Sequence, residues 1–177
     1  QAVCALDLRL AINVSPRQFR AANLASRLSR IVEETGLAPQ RVEVEITEQA
    51  VLADEAHGMA VLAALSERGM RITLDDYGIG FSSLQRLKQM PLDTLKIDKF
   101  FVTSLLTNSV DAAIVRSTID LCHELGVSVV AEGVEDLATA QRLREYGCDQ
   151  AQGYGIARPM AIDDLHRWLR ERGAAGA

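Results

Sequence analysis

No apolar run in this chain of 177 residues approaches the roughly 18 residues of a membrane-crossing helix. Its first residues also lack the charged-then-apolar pattern of a secretory signal. The domain is therefore expected in the cytoplasm, which is compatible with a membrane tether elsewhere in a parent chain. Basic clusters are missing as well. Nineteen Lys and Arg stand against 24 Asp and Glu, the net charge is -5 and the pI is near 5.2, with no Lys/Arg cluster interleaved with aromatics. That excludes the usual footprint for a DNA or RNA polymer. An anionic ligand would need a cation to bridge it. Cysteine is scarce and odd in number: Cys4, Cys122 and Cys148 show neither zinc-ligand nor redox spacing and read as thiols of a reducing compartment. No linker, low-complexity stretch or charge run divides the chain, and 48% hydrophobic residues over 177 positions suit one core rather than two. One domain at 1–172 and a disordered Gly/Ala tail at 173–177 are expected.

What is present is a repeated ending. Six apolar runs each break off into a carboxylate, amide or lysine: LRLAIN at Asn13, VEVEITE at Glu45 and Glu48, RITLDDYG at Asp75 and Asp76, TLKID at Lys96 and Asp98, VVAEGVE at Glu132 and Glu135, and AQGY at Gln152. Between them lie segments of helical period that stop at Gly36, Gly69, Gly126 and Gly147. Glycine just past a helix takes the left-handed conformation that closes it. The rhythm predicts strands near 8–13, 42–47, 71–76, 94–98, 128–132 and 149–153, and helices near 17–35, 54–68, 81–89, 110–125, 137–146 and 161–172. Strand alternating with helix means a parallel sheet. Six βα units fall short of the eight of a closed (βα)8 TIM-like barrel, which needs about 250 residues. The acids at successive strand ends would then share one site. Ser15-Pro16-Arg17-Gln18 fits a helix start with a capping box, a structural role for Ser15.

Side-chain parity sharpens that site. In Val42–Thr47 alternation puts Glu43, Glu45 and Thr47 on one face, although a helix-covered parallel strand should be apolar on both. A buried acid there costs several kcal/mol unless a cation compensates it; the alternative is an exposed edge strand. Lys96 and Asp98 share a face in the same way, so Lys96 is either a structural ion pair or a charge stabiliser in a reaction. Asp75 and Asp76 are neighbours whose side chains diverge in an extended strand. Both reach one site only if the chain leaves strand geometry, a freedom that Gly78 and Gly80 would supply. Such a pair suits two hard cations about 3.5–4 Å apart. The oxygen-rich set Asn13, Glu45, Asp75, Asp76 and Glu132, without His or Cys, favours magnesium or manganese over zinc. Gly78-Ile79-Gly80 is a weak match to a dinucleotide loop, since position 83 is Ser and no ribose-binding acid follows. His57, His123 and His166 fall in helical segments away from the strand ends and read as surface or packing residues.

The stretches INVSPRQF, VEVEITE, LDDYGIGFSSL, LKIDKFF, VVAEGVE and AQGYGIARPM, in this order along nearly the whole chain, resemble those of the EAL domain, the bacterial cyclic-di-GMP phosphodiesterase domain. The resemblance implies a modified (βα)8 barrel that uses two Mg2+ or Mn2+ ions to hydrolyse cyclic-di-GMP to linear pGpG and is inhibited by Ca2+. By motif, Asn13, Glu45 and Asp75 would be metal ligands, Asp76 would serve the second metal, Lys96 would hold the attacking water, and Glu132 would be a metal ligand or general base. Glu48 would anchor the loop containing Gly78, Gly80, Ser82 and Ser83, a segment tied in the family to homodimerisation. Asp98, Glu135, Gln152 and Gly153 would support the site or bind substrate. Sensory or GGDEF-type domains would accompany it in a parent chain.

One departure stands out: the Glu-Ala-Leu motif that names the family, with its metal-binding glutamate, does not occur in these residues. Impaired activity is therefore expected of the 177 residues taken alone. The alternative reading is a catalytically inactive receptor for cyclic-di-GMP, or an interaction module.

Overall fold

The computed structural model describes residues 8–78 and 84–175. Six strands, β1 (Leu10–Asn13), β2 (Val42–Thr47), β3 (Arg71–Tyr77), β4 (Thr94–Ile97), β5 (Ser128–Ala131) and β6 (Gln150–Ala151), form one sheet in chain order. Every pairing is parallel, and the curled sheet is the wall of a partly formed barrel. Nine helices alternate with the strands or follow them among the described residues: α1 (Pro16–Phe19), α2 (Leu24–Thr35), α3 (Glu48–Leu52), α4 (Glu55–Glu67), α5 (Leu84–Gln89), α6 (Lys99–Thr103), α7 (Ser109–Glu124), α8 (Leu137–Glu145) and α9 (Ile162–Ala175).

The core follows from alternation. Val42, Val44, Ile46, Ile72, Leu74, Leu95, Ile97 and Val129 point outward and are buried against Leu62, Leu65, Val115, Ile119 and Leu143 of the helices. The opposite parity, facing the barrel interior, carries Glu43, Glu45, Thr73, Thr94 and Lys96. The Thr73 hydroxyl donates to Glu43, so the interior is polar in successive layers. The edge-strand alternative for residues 42–47 is overturned: β2 lies between β1 and β3. Its Glu face meets the barrel interior.

The four glycine stops hold, with φ of 68° at Gly36, 79° at Gly69, 73° at Gly126 and 80° at Gly147. The capping box also forms, with the Gln18 N–H donating to Ser15 Oγ at 3.3 Å and the Ser15 N–H to Gln18 Oε1 at 3.0 Å. The single helix expected over 17–35 is instead two. Phe19 is wholly buried, and a turn in which Leu24 N–H donates to the Ala21 carbonyl at 3.0 Å swings α2 round to bring Leu24 and Val32 onto the core. One-turn helices such as α3 and α6 are too short to show a helical period in the sequence. Helix α9 continues to Ala175, beyond the 161–172 expected.

At the other end of the strands, acids serve structure rather than chemistry. Asp93 accepts from the Ile72 N–H at 2.9 Å and Asp149 from the Val129 N–H at 2.7 Å, each satisfying a neighbouring strand's backbone. His123 Nε2 lies 3.0 Å from Asp149, tying the end of α7 to the start of β6. Partial burial pushes the Asp149 carboxyl up, but the bonds from His123 and Val129 outweigh it and hold it below its ordinary value. Its contribution to stability is present above the ordinary 3.8 and is lost as pH falls through the lowered value. Asp149→Ala should cost about 1–3 kcal/mol by stranding the buried Val129 N–H. Urea unfolding at neutral pH measures this, and an unchanged midpoint would contradict it.

Candidate metal and catalytic centre

The strand register assembles the site. Asn13 pairs with Glu45 across β1 and β2, Glu45 with Thr73 across β2 and β3, and Lys96 with Val130 across β4 and β5. Parallel strands in sequential order therefore bring residues far apart in the chain to one rim. Lys96, only 5% exposed, lies at its centre. Its Nζ is 2.6 Å from Glu132 Oε1, 3.2 Å from Asp75 Oδ1 and 3.3 Å from Glu45 Oε2. Burial alone would lower this ammonium, but the Glu132 hydrogen bond and the charges of Glu132, Asp75 and Glu45 raise it above its ordinary 10.5. Lys96 is a fixed positive charge.

The carboxylates remain in excess. Burial pushes Glu45 above its ordinary 4.5; Lys96 pulls it down and Asp75 pushes it up again. Asp76 is likewise raised above 3.8, by burial first and then by Asp75 and Asp98, with Lys96 and Lys99 opposing. Four carboxylates, Glu45, Asp75, Asp76 and Glu132, surround one ammonium, a formal surplus of three negative charges. Asp75, Asp76 and Glu132 each offer an oxygen, and these atoms lie within 4.8 Å of one another. An all-oxygen donor set with surplus negative charge fits a hard divalent cation.

Asp75 and Asp76 converge because the strand breaks. The register with β4 shifts between Leu74 and Tyr77, and Asp76 has φ of 58°. The sequence-based expectation placed this freedom in the glycines that follow; the bend sits in Asp76 itself. Aspartate tolerates the left-handed region better than most residues, and the neighbouring Asp75 side chain braces the bend, its Oδ1 accepting from the Asp76 N–H at 3.1 Å.

The remaining predicted residues separate by role. Asn13 stands exposed at the end of β1 beside Glu45. Glu48 is buried in the first turn of α3, near enough to Tyr77 for its charge to add to the burial that raises that phenol. Asp98 caps α6 by accepting from the Phe100 N–H at 2.7 Å. Glu135 and Gln152 are exposed and, with Glu132, line a pocket of about 310 Å³ beside the cluster. Gly153 also lines it, and a Cβ there would come within 2.2 Å of the Val134 carbonyl oxygen, so the close approach of the two chains requires glycine. Gly78, at φ of 109°, packs against Phe101, while Gly80, Ser82 and Ser83 lie outside the described residues. Sequence reasoning passed over Lys99 and Tyr154 of the same pocket. Only adjacency to LKID and AQG marked them in the sequence.

Comparison with known proteins gives a consistent picture. The family model described as "EAL domain" matches residues 2–159. The bifunctional diguanylate cyclase/cyclic di-GMP phosphodiesterase MucR of Pseudomonas aeruginosa is 37% identical over 159 residues, covering 90% of this chain and 23% of MucR. Among the first curated relatives the chain spans between 20% and 27% of their length. A MucR phosphodiesterase structure in complex with c-di-GMP superposes with a TM-score of 0.85 at 37% identity, covering 89% of this chain and 64% of that one. A manganese/cyclic-di-GMP complex of BlrP1 from Klebsiella pneumoniae superposes with a TM-score of 0.77 at 34% identity, over 82% of this chain and 38% of that one.

Proposed function

This chain belongs to the EAL domain family, and from that premise we propose that its rim of acids around Lys96 hydrolyses cyclic-di-GMP to linear pGpG with two divalent cations, Mg2+ or Mn2+. The observation that carries the reading is Lys96 bonded to Glu45, Asp75 and Glu132, two of which converge with Asp76. Asp75, Asp76 and Glu132, with Glu45 and Asn13 on the adjacent strands, would hold the cations. Bound there, divalent cations would offset the surplus charge, polarise the phosphodiester and acidify water.

The chain's own groups supply the rest. Glu132 accepts a proton from the attacking water, whose oxygen forms a bond to phosphorus as the P–O3′ bond breaks in line. The departing O3′ takes up a proton from solvent and leaves as the hydroxyl of pGpG, while Glu132 returns the proton it accepted to solvent. Lys96, kept protonated by its three acids, orients the water and stabilises the negative charge that develops on phosphorus. Its charge is in place before the reaction, because it is already buried and tethered.

Support for the ligand comes from MucR and BlrP1, whose structures are described as cyclic-di-GMP complexes, and for manganese from BlrP1. A homodimer and a GGDEF-type neighbour in a parent chain belong to the same proposal, the latter supported by the bifunctional description of MucR. So does a cytoplasmic location; no described helix is long and apolar enough to cross a membrane. The test is release of pGpG by a protein that joins this domain to a segment carrying the family's Glu-Ala-Leu motif, since the 177 residues alone are expected to be impaired. Product is expected with Mg2+ or Mn2+, none with Ca2+, and a strong loss in Glu45→Ala. Tight binding of cyclic-di-GMP with no pGpG in any metal would replace this reading with a receptor.

A further inference from the structure

Glu43 is a half-buried acid that the reaction above does not use. It precedes Glu45 by two residues on β2, so both side chains face the barrel interior. Its neighbours across the sheet leave it without a counter-charge. Ala11 of β1 offers no polar side chain, and Arg71 of β3 is turned to Asp93, with a guanidinium nitrogen 3.4 Å from Oδ1. Among the described residues Glu43 forms no ion pair.

Its partner is instead the Thr73 hydroxyl, which donates to Glu43 Oε1. Thr73 is wholly buried and pairs in register with Glu45, whereas Glu43 pairs with Arg71. A hydroxyl on so short a side chain stays near its own level of the barrel, so the bond draws the Glu43 carboxylate up from its layer towards that of Glu45. Two residues along a strand span about 7 Å, and the Thr73 bond narrows that gap between the carboxylates. The charge is felt at Glu45: burial is the first cause that raises it, Lys96 opposes, and the charges of Asp75 and Glu43 add to the rise. A like charge beneath a ligand is costly while Lys96 is the only cation at the site among the described residues. It becomes favourable when a divalent cation is present, because attraction to two positive charges exceeds repulsion from one carboxylate.

We infer that Glu43 is a positioning residue for the metal: held by Thr73 beneath Glu45, its charge strengthens the grip on a divalent cation without supplying a ligand. This rests on the metal-holding role proposed above for Glu45 and adds a residue from the layer below the rim. Glu43 stands outside the convergent set of Asp75, Asp76 and Glu132. It acts through the field at Glu45 and not on the phosphodiester.

The test uses the protein extended by a segment carrying the Glu-Ala-Leu motif, with Glu43→Gln and Glu43→Asp compared at one fixed neutral pH. In Glu43→Gln the amide oxygen still accepts from Thr73, so the charge alone is lost. Calorimetric titration with Mn2+ should give a dissociation constant about tenfold weaker than wild type, the scale of one unit charge acting across a strand layer in a half-buried, partly screened site. Glu43→Asp keeps the charge on the same face and should stay within about threefold of wild type. Thermal unfolding in EDTA should find Glu43→Gln as stable as wild type or more so, because a like charge has left the neighbourhood of Glu45. An acid with a merely structural role would cost stability instead. With cyclic-di-GMP, the Mn2+ concentration at half-maximal pGpG release should rise by the same factor in Glu43→Gln, with kcat at saturating Mn2+ little changed. Wild-type Mn2+ affinity in Glu43→Gln, an equal loss of affinity in both variants, or a Glu43→Gln protein less stable than wild type in EDTA would overturn the inference. An extended wild type that binds Mn2+ but releases no pGpG would sink the hydrolytic reading and leave Glu43 to be judged by the titration. One that binds no Mn2+ would sink both.

Discussion

Lys96→Met should lower kcat by at least about 10²–10³-fold, the loss typical of removing one preorganised donor to a developing oxyanion. Lys96 is the cation within ion-pair distance of Glu45, Asp75 and Glu132, and methionine keeps its volume while deleting its charge. The variant thus separates the electrostatic contribution from packing. Lys96→Arg should recover little activity: a planar guanidinium cannot place three donors around a point as an ammonium does. In metal-free protein Lys96→Met should also lose about 3–5 kcal/mol of stability, because removing one partner leaves buried carboxylates uncompensated. Saturating Mn2+ should return part of that stability without returning kcat. Turnover within tenfold of wild type would refute the role given to Lys96.

Asp76→Asn should produce opposite effects with and without metal. Asparagine keeps the tolerance for the left-handed backbone that Asp76 adopts at φ of 58°, so the bend survives. Without divalent cations the substitution should raise stability. Asp76, exposed but partly desolvated, is held above its ordinary value by that desolvation and by the charges of Asp75 and Asp98, so its ionised form is unfavourable in the folded state by an amount that solvent screens. The sign follows from proton binding: a carboxyl raised on folding contributes most below its ordinary 3.8 and loses that contribution as pH rises through the raised value. Glu45 behaves alike from 4.5. Metal-free wild type should therefore lose stability as pH rises through this window, and Asp76→Asn less so. With Mn2+ at 100 times its dissociation constant, wild type should gain about 2.7 kcal/mol, and Asp76→Asn should gain far less and lose about 10³-fold in kcat, several kcal/mol of charge stabilisation. Thermal unfolding with EDTA and with Mn2+ reads both arms. A variant less stable than wild type in EDTA, or equally stabilised by Mn2+, would contradict a metal-holding role for Asp76.

Much of this was legible in the residues themselves. Alternation over Val42–Thr47, the glycine stops and the capping box at Ser15 are local patterns, set by neighbours along the chain, and the structure realises each of them. The polar residues at the strand ends likewise marked Asn13, Glu45, Asp75, Asp76 and Glu132 with Lys96; the four acids gather at Lys96, while Asn13 stands exposed beside Glu45.

What the tertiary structure alone decided depends on distances between segments. That Lys96 bonds to Glu132, Asp75 and Glu45, while Asp98 on the same face caps α6, follows from strand register and from the turn after Ile97. The bend at Asp76 arises from the register shift against β4, a property of two strands rather than one. The break after Phe19 answers to the core that Phe19 fills, and Lys99 and Tyr154 share a wall only because β4 and β6 flank β5. Periodicity is written in each segment, whereas convergence is an energy of contact between segments and exists only once the sheet has formed.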